Sequence, residues 1–410
     1  MQKNIFTGTV GRTMAETRYK YHQVNNNPEN APNVIYIILD DMGFAQLGCY
    51  GSNIETPNID RLAKEGLRYN NFHTTAVCSA TRACLLTGTN HHTAGCASLI
   101  ELRTGCDNNL NGNLKPEYAT IAEILKEYGY ATFCTGKWHL SADQCAAGPV
   151  DGWPLQKGFD RYYGFLHGEN DQYHPHLVRD NTKAPQPKTV EEGYHFSEDI
   201  VDNAIDYLYE HNINFPEQPF FLYLAFGAMH TPHHAPKEYI DHYKGKFDAG
   251  WDVIRQQWFE NQKRIGIIPQ EAELTDKNEY VRDWADCTEK ERVVYAREME
   301  AFAGMLTHTD TQIGRLVDYL EESDQLDNTI IVFLSDNGAS AEGGIDGRFN
   351  GMRGQDVTVR AEGEVNYAYE HLDEIGTELA FNHYPTGWAN CGNTPFQRLS
   401  LIHISEPTRL

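Results

Sequence analysis

Four short apolar runs, each ending in polar residues, constrain this chain most. Asn33-Val-Ile-Tyr-Ile-Ile-Leu39 follows Pro32, is β-branched and apolar almost throughout, and runs into Asp40-Asp41. A strand without polar alternation needs cover on both faces, which a parallel sheet flanked by helices supplies. Tyr130 to Thr135 leads into Gly136-Lys137-Trp138-His139, Phe220 to Phe226 ends near His230, and Ile330 to Leu334 leads into Ser335-Asp336-Asn337-Gly338. Helical patterns lie between the strands. Pro57 to Glu65 has Thr56 as N-cap, Ile59, Leu62 and Ala63 on one face, and Gly66 as its stop. Tyr118 to Tyr128 places Ile121, Ile124, Leu125 and Tyr128 on one face before Gly129, and a long amphipathic helix is expected over Glu291 to Glu322, with Gly304 or Gly314 as candidate breaks. The alternation predicts an α/β fold with a largely parallel sheet covered on both faces.

Sites in such sheets lie at the carboxyl ends of the strands. Asp40, Asp41, Lys137, His139, His230, Asp336 and Asn337 all fall there. Singly, each has an ordinary explanation: Asp40-Asp41 as a turn with a helix cap, Asn337-Gly338 as a tight turn, a lone His as a loop residue. Their coincidence at four strand ends argues for a site. Cys78-Ser-Ala-Thr-Arg82 precedes the apolar Ala83-Cys84-Leu85-Leu86 and Thr87-Gly88. If a helix starts here, Cys78 and Arg82 share a face at its N-terminus, where free N–H groups and the dipole favour anions. On this spacing alone, a helix start with a buried Cys and a surface Arg is the better reading.

The 410 residues suffice for two or three domains, and a 40% hydrophobic content supports an ordinary core rather than disorder. The apolar runs are strand-length, too short to span a bilayer, and Met1 to Asn33 has no apolar signal region, so the expected location is cytoplasmic. Nine cysteines without Cys-x-x-Cys spacing, and no His-Glu-x-x-His, argue against zinc ribbons, zincins and a disulfide framework. A net charge of −24 argues against nucleic acid as a partner, and an anionic substrate would need local positive charge from Arg, Lys, His or a metal ion. Tyr173 to Tyr194 is expected to be a loop insertion, and Asp248 to Asp286, with Trp251, Trp258 and Trp284, a helical insertion that walls a pocket. Leu399 to Leu410 is similar to a translated sequencing adaptor, so residues 399–410 are set apart as a non-native tail, residues 1–32 as an N-terminal extension and 33–398 as the catalytic domain.

Asp40-Asp41-Met-Gly-Phe, Cys78-Ser-Ala-Thr-Arg82 with Leu-Leu-Thr-Gly, Gly136-Lys-Trp-His-Leu140 and Ser335-Asp-Asn-Gly338 occur in an order that resembles the type I sulfatases of the alkaline-phosphatase-like superfamily. The likeness covers about Asn33 to Arg398, and the segment around Trp251 to Trp258 looks most like soluble bacterial arylsulfatases. The resemblance implies a sandwich with a large, mostly parallel mixed sheet between helices. It implies hydrolysis of aryl or carbohydrate sulfate esters. It also implies that Cys78 is oxidised to formylglycine, whose hydrated gem-diol takes the sulfuryl group and then collapses to the aldehyde, expelling sulfate. Asp40, Asp41, Asp336 and Asn337, with the modified Cys78, would hold Ca²⁺, or Mg²⁺; oxygen donors suit such hard cations. By the same resemblance Arg82 orients the diol, Lys137 binds sulfate oxygens, His139 takes a proton from the diol, Asp336 activates the attacking hydroxyl and His230 serves the leaving oxygen.

The chain departs from the family pattern in three places. Met229 replaces the usual Pro before His230; His233 and His234 are its rivals, while His91 and His92 are expected to line the pocket or lie on the surface. Ala80 replaces the common Pro of the Cys motif, a variant similar to those matured by anaerobic radical-type enzymes, so such a maturase is the expected partner. A second active-site Lys and a small C-terminal domain are expected beyond the Asn393-Thr-Pro-Phe segment, where this chain has its tail; weak activity and an exposed apolar face should result. The alternatives are phosphodiester or phosphonate monoester hydrolysis on the same fold, and an inactive binding protein or fragment.

Overall fold

The computed structural model describes residues 9–18, 30–102, 112–350, 363–397 and 399. Much of the expected N-terminal extension and nearly all of the expected tail therefore lie outside the described residues. The strands are β1 (Asn33–Leu39), β2 (Ala131–Lys137), β3 (Arg161–Phe165), β4 (Val178–Arg179), β5 (Thr182–Lys183), β6 (Phe220–Ala225) and β7 (Thr329–Ser335). They form one sheet in the order β5-β4-β3-β2-β6-β1-β7. Pairing is parallel from β3 through β7 and antiparallel only at β3–β4 and β4–β5. The α-helices are α1 (Pro57–Glu65), α2 (Cys78–Thr87), α3 (His91–Ala94), α4 (Ile121–Glu127), α5 (Phe196–Asn214), α6 (Lys237–Asp241), α7 (Gly250–Arg264), α8 (Glu289–Glu322), α9 (Glu364–Glu370) and α10 (Thr386–Gly392).

Side chains alternate between two cores, which explains the uninterrupted apolar strands. Ile35, Ile37 and Leu39 of β1, with Phe220, Leu222 and Leu224 of β6, face the larger core, where α5 and α8 contribute Ile200, Phe302 and Leu306. Ile38, Phe221, Tyr223 and Ala225 face the other, with Ala83 and Leu86 of α2 and Ala122 of α4. Register then sets up the site. Leu39 pairs with Ser335, so Asp40 and Asp336 follow on adjacent strands. Gly136 pairs with Ala225, which brings the ends of β2 and β6 together. Gly136 has φ +96°, and a Cβ there would collide with the Ala225 carbonyl. The four strand ends singled out from sequence thus belong to the neighbouring strands β2, β6, β1 and β7.

Several expectations change in detail. α8 is unbroken, because its glycines mark close approaches: a Cβ at Gly304 would lie 2.8 Å from the Ile240 N of α6, and one at Gly314 would lie 2.6 Å from the Asn58 side chain. Thr56 sits at the N-cap of α1 but its hydroxyl donates to Asp60 (3.1 Å) and accepts from Gly48 N (3.0 Å). The α4 helix begins at a Thr120–Glu123 capping box and buries Ala122, while Ile124 and Tyr128 of the expected apolar face are exposed. The segment after Tyr173 contains the β4–β5 hairpin rather than loop alone. In the later insertion, Trp251 packs edge-on against Trp284 (4.7 Å) and Trp388 (5.8 Å) as part of the core, while Asp252, Val253, Gln256 and Glu260 of the same helix line an open pocket.

Among the described residues nothing pairs with the outer edge of β7. Ile330 is 52% exposed, and the edge lines an apolar groove of about 750 Å³ with Phe44, Tyr69, Phe72 and Phe396. No described helix is long and apolar enough to cross a membrane.

Candidate active site

Cys78 opens α2 directly after an extended Val77, and Arg82 stands one turn on. Both are buried, Arg82 completely, so the alternative of a surface Arg is excluded. The Arg82 guanidinium donates to Asp336 Oδ2 from Nε (2.8 Å), Nη2 lies 2.7 Å from the same oxygen, and Nη1 donates to the Lys137 carbonyl (3.1 Å). Lys137 Nζ donates to Asp40 Oδ2 at 2.6 Å. Burial alone would raise the Asp40 pKa, but the charges of Lys137, His230 and Arg82 bring it down to about 2.

Successive strand residues point to opposite faces, yet Asp40 and Asp41 both face this site. The chain leaves the extended conformation at Asp41, which has φ +58°. Asn337 Nδ2 donates to Asp41 Oδ1 at 2.5 Å, and Asp41 N donates to Asp336 Oδ1 at 3.3 Å. Burial pushes Asp41 up to about 6, helped by the negative charges of Asp40 and Asp336 and opposed by His230. Asp336 also rises to about 6, through burial and Asp40, against Arg82 and Lys137. Three carboxylates thus crowd around Arg82, Lys137 and His230. Asp40 Oδ1, Asp41 Oδ2 and Asn337 Oδ1 are buried and accept no hydrogen bond. Orphaned acceptors in such a place cost free energy unless something positive meets them. Ligand atoms of Asp40, Cys78 and Asp336 lie within 4.8 Å of one another, as do those of Asp41, His230 and Glu342. Hard oxygen donors in this number fit a divalent cation such as Ca²⁺ or Mg²⁺.

Two histidines complete the floor. His139 lies two residues past the end of β2 with φ +52°; its Nδ1 is 3.1 Å from Cys78 Sγ, and its Nε2 is 2.9 Å from Glu101 Oε2. Burial and Lys137 lower its pKa to about 4, against the pull of Glu101, so the ring is neutral near pH 7. His230 donates from Nδ1 to the Thr231 carbonyl (3.1 Å), while Nε2 faces Asp41 (3.7 Å) and Glu342 (3.6 Å). Burial would lower it, but Asp41 and Asp40 raise it to about 9, leaving it protonated. Environment therefore drives two like side chains in opposite directions, one to accept a proton and one to give it.

The rival histidines lie elsewhere. His233 packs against Phe302 and His383, the His234 Nε2 contacts the Ala380 carbonyl (2.5 Å), and His91 packs at a tilt against the exposed His92 in α3. Glu101 and Glu342 are the residues that sequence reasoning missed. Glu101 lies on a short helical turn, Ile100–Leu102, and Glu342 outside every strand and helix, and neither belongs to a motif.

Comparison with known proteins places the chain in a family. The family model described as Sulfatase matches residues 32–375. An uncharacterized sulfatase of Schizosaccharomyces pombe is 35% identical over 92% of this chain and 68% of its own length. An arylsulfatase of Klebsiella aerogenes is 29% identical over 90% of this chain and 77% of its own. Among solved structures, the crystal structure of Ps i-CgsB superposes with a TM-score of 0.54 at 26% identity; the match covers 76% of this chain and 59% of that one.

Proposed function

The chain belongs to the sulfatase family, and on that footing we propose that it hydrolyses aryl or carbohydrate sulfate esters at the site built around residue 78. The observation that carries this reading is the trio of orphaned oxygens on Asp40, Asp41 and Asn337, set beside Cys78 and the Arg82–Lys137 pair. Asp40, Asp41, Asp336 and Asn337 would hold Ca²⁺, with Mg²⁺ as the second choice. A bound divalent cation there supplies positive charge to sulfate oxygens and to the oxygen on residue 78. Formylglycine at residue 78 supplies, when hydrated, a nucleophile that releases sulfate without an attack by water on a sulfate ester.

The chain's own residues divide the remaining work. Lys137 and Arg82 orient and neutralise the anion, and Asp336 takes the proton of the attacking hydroxyl. His230 gives a proton to the departing alcohol or phenol oxygen. His139, neutral and 3.1 Å from the residue-78 side chain, receives the proton whose loss releases sulfate. The −24 charge makes these local cations necessary for an anionic substrate.

Maturation requires an enzyme that oxidises Cys78, and Ala80 in the motif supports the anaerobic radical type. Mass spectrometry of the Cys78 peptide, from protein expressed with and without such a maturase, tests this; equal aldehyde content in both would refute the partner. The matured protein is then assayed on nitrophenyl sulfate, a small panel of sulfated sugars and a phosphodiester. Sulfate esters should be turned over fastest. A preference for the phosphodiester, or an intact Cys78 thiol in protein from its native host, would overturn the assignment.

A further inference from the structure

His139 is gripped at both ring nitrogens. Nε2 lies 2.9 Å from Glu101 Oε2, and Nδ1 lies 3.1 Å from Cys78 Sγ. A carboxylate only accepts, so the Nε2 facing it must carry the hydrogen; in the neutral ring, Nδ1 is then an acceptor. The ring has little freedom to turn. Its backbone N donates to the Leu166 carbonyl at 3.3 Å, and Gly168 packs on its edge so closely that a Cβ there would be 3.0 Å from Cε1 and 3.1 Å from Nε2. Glu101 stands on a short helical turn, Ile100–Leu102, anchored by Ile100, which is 2% exposed. Its own side chain is half exposed, where an ion pair contributes little to stability; the His139 end is almost wholly buried. The contact is therefore better suited to orienting the imidazole than to holding the fold.

We propose that Glu101 is a positioning residue: it fixes His139 in the Nε2–H tautomer, so that Nδ1 is bare and aimed at residue 78. The catalytic part of this rests on the sulfuric ester hydrolase reading given above. There, a proton passes from a hydroxyl on the residue-78 β-carbon to Nδ1. The electron pair left by the O–H bond closes a C=O bond, the C–O bond to sulfate breaks with its own pair going to the departing sulfate, and His139 returns the proton to water.

Two measurements test it, and they fail separately. The first is ¹⁵N NMR of the histidine rings in the full, unmodified, metal-free chain, with His139 assigned by difference against His139→Asn. The wild type should carry its hydrogen on Nε2, Glu101→Ala should show a mixed or reversed tautomer, and Glu101→Gln, whose amide oxygen still accepts, should keep Nε2–H. A wild-type ring protonated on Nδ1, or an Ala variant with an unchanged tautomer, overturns the proposal. The second is kinetics of the matured enzyme on nitrophenyl sulfate. Glu101→Ala should lower kcat roughly 10- to 100-fold, with KM falling alongside so that kcat/KM barely moves, and should release a burst of one nitrophenol per site. Glu101→Gln should retain most of the turnover. A fall in kcat/KM without a burst, or wild-type kinetics in the Ala variant, overturns it. If the wild type cleaves no sulfate ester, the hydrolase reading fails while the ring spectra still decide the role of Glu101.

Discussion

Glu298 of α8 is 1% exposed, sets its carboxyl against Gly347, and leaves Oε2 without a hydrogen bond. Burial and the neighbouring charges of Glu364 and Asp346 raise its pKa well above 4.5, against the pull of Arg348. The folded state thus keeps the carboxyl protonated at pH values where the unfolded chain ionises it. Stability is lost as pH climbs past the ordinary glutamate value, because the unfolded state then binds fewer protons. Glu298→Gln removes that penalty. Urea midpoints at pH 5, 6 and 7 should show the variant gaining on the parent by up to about 1.4 kcal/mol per pH unit. A difference that stays constant with pH would mean that Glu298 is ionised in the fold. Such residues are hard to find in a sequence. Glu298 lies within a helical pattern rich in Glu, and nothing local separates it from its solvated neighbours. The same holds for Glu101 and Glu342, whose partners His139 and His230 are 38 and 112 residues away. The motif residues could be found because their signal is local: Cys78 and Arg82 are one turn apart, and Asp40-Asp41 and Asp336-Asn337 follow apolar strands directly.

The first turn of α1 shows the limit of local reading one level up. Thr56 has the right chemistry and position for a cap, yet the cap comes from Asp310 on α8. Asp310 Oδ2 accepts from Asn58 N (3.1 Å) and Asn58 Nδ2 (2.9 Å), and Oδ1 accepts from Ile59 N (2.8 Å). One side chain thus ties two helices together and satisfies two of the free N–H groups at a helix start. Asp310→Ala should cost about 2 kcal/mol, read as a lower urea midpoint, with Asp310→Asn losing less because its amide oxygen still accepts. An Ala variant as stable as the parent would show that Thr56 can take over. Strands β1 and β6 were legible because double cover demands apolar sequence, and β2 and the half-buried edge strand β7 because their β-rich runs lead straight into polar motifs. β3 was not, since Arg161-Tyr-Tyr-Gly-Phe165 is short and carries an Arg and a Gly. The 19-residue α5 was missed although Ile200, Ala204 and Leu208 repeat every fourth position on its buried face, a signal that was present in the sequence.

Over the whole molecule the charge is −24, while the proposed substrate is an anion and its cradle is Arg82, Lys137 and His230. These cations are already engaged by Asp40, Asp41 and Asp336, and Glu101 and Glu342 add negative charge beside them. Three cations against five carboxylates leave the near field without a positive excess, and the far field is repulsive. A substrate travelling from bulk solvent meets the far field first, and salt screens that field over about 8 Å at physiological ionic strength. The groups in contact with the bound anion are buried, where screening is weak. Raising salt should then help approach more than it harms binding. For the matured enzyme, kcat/KM on nitrophenyl sulfate should rise roughly two- to tenfold between 10 and 150 mM salt, with kcat nearly unchanged. A bound divalent cation works the other way, because its charge offsets that of the surrounding carboxylates and lessens the repulsion near the site. The sign of the salt effect thus reports which field governs encounter: a fall in kcat/KM over the same range would show that the metal and the Arg82–Lys137 pair project through the acidic surface.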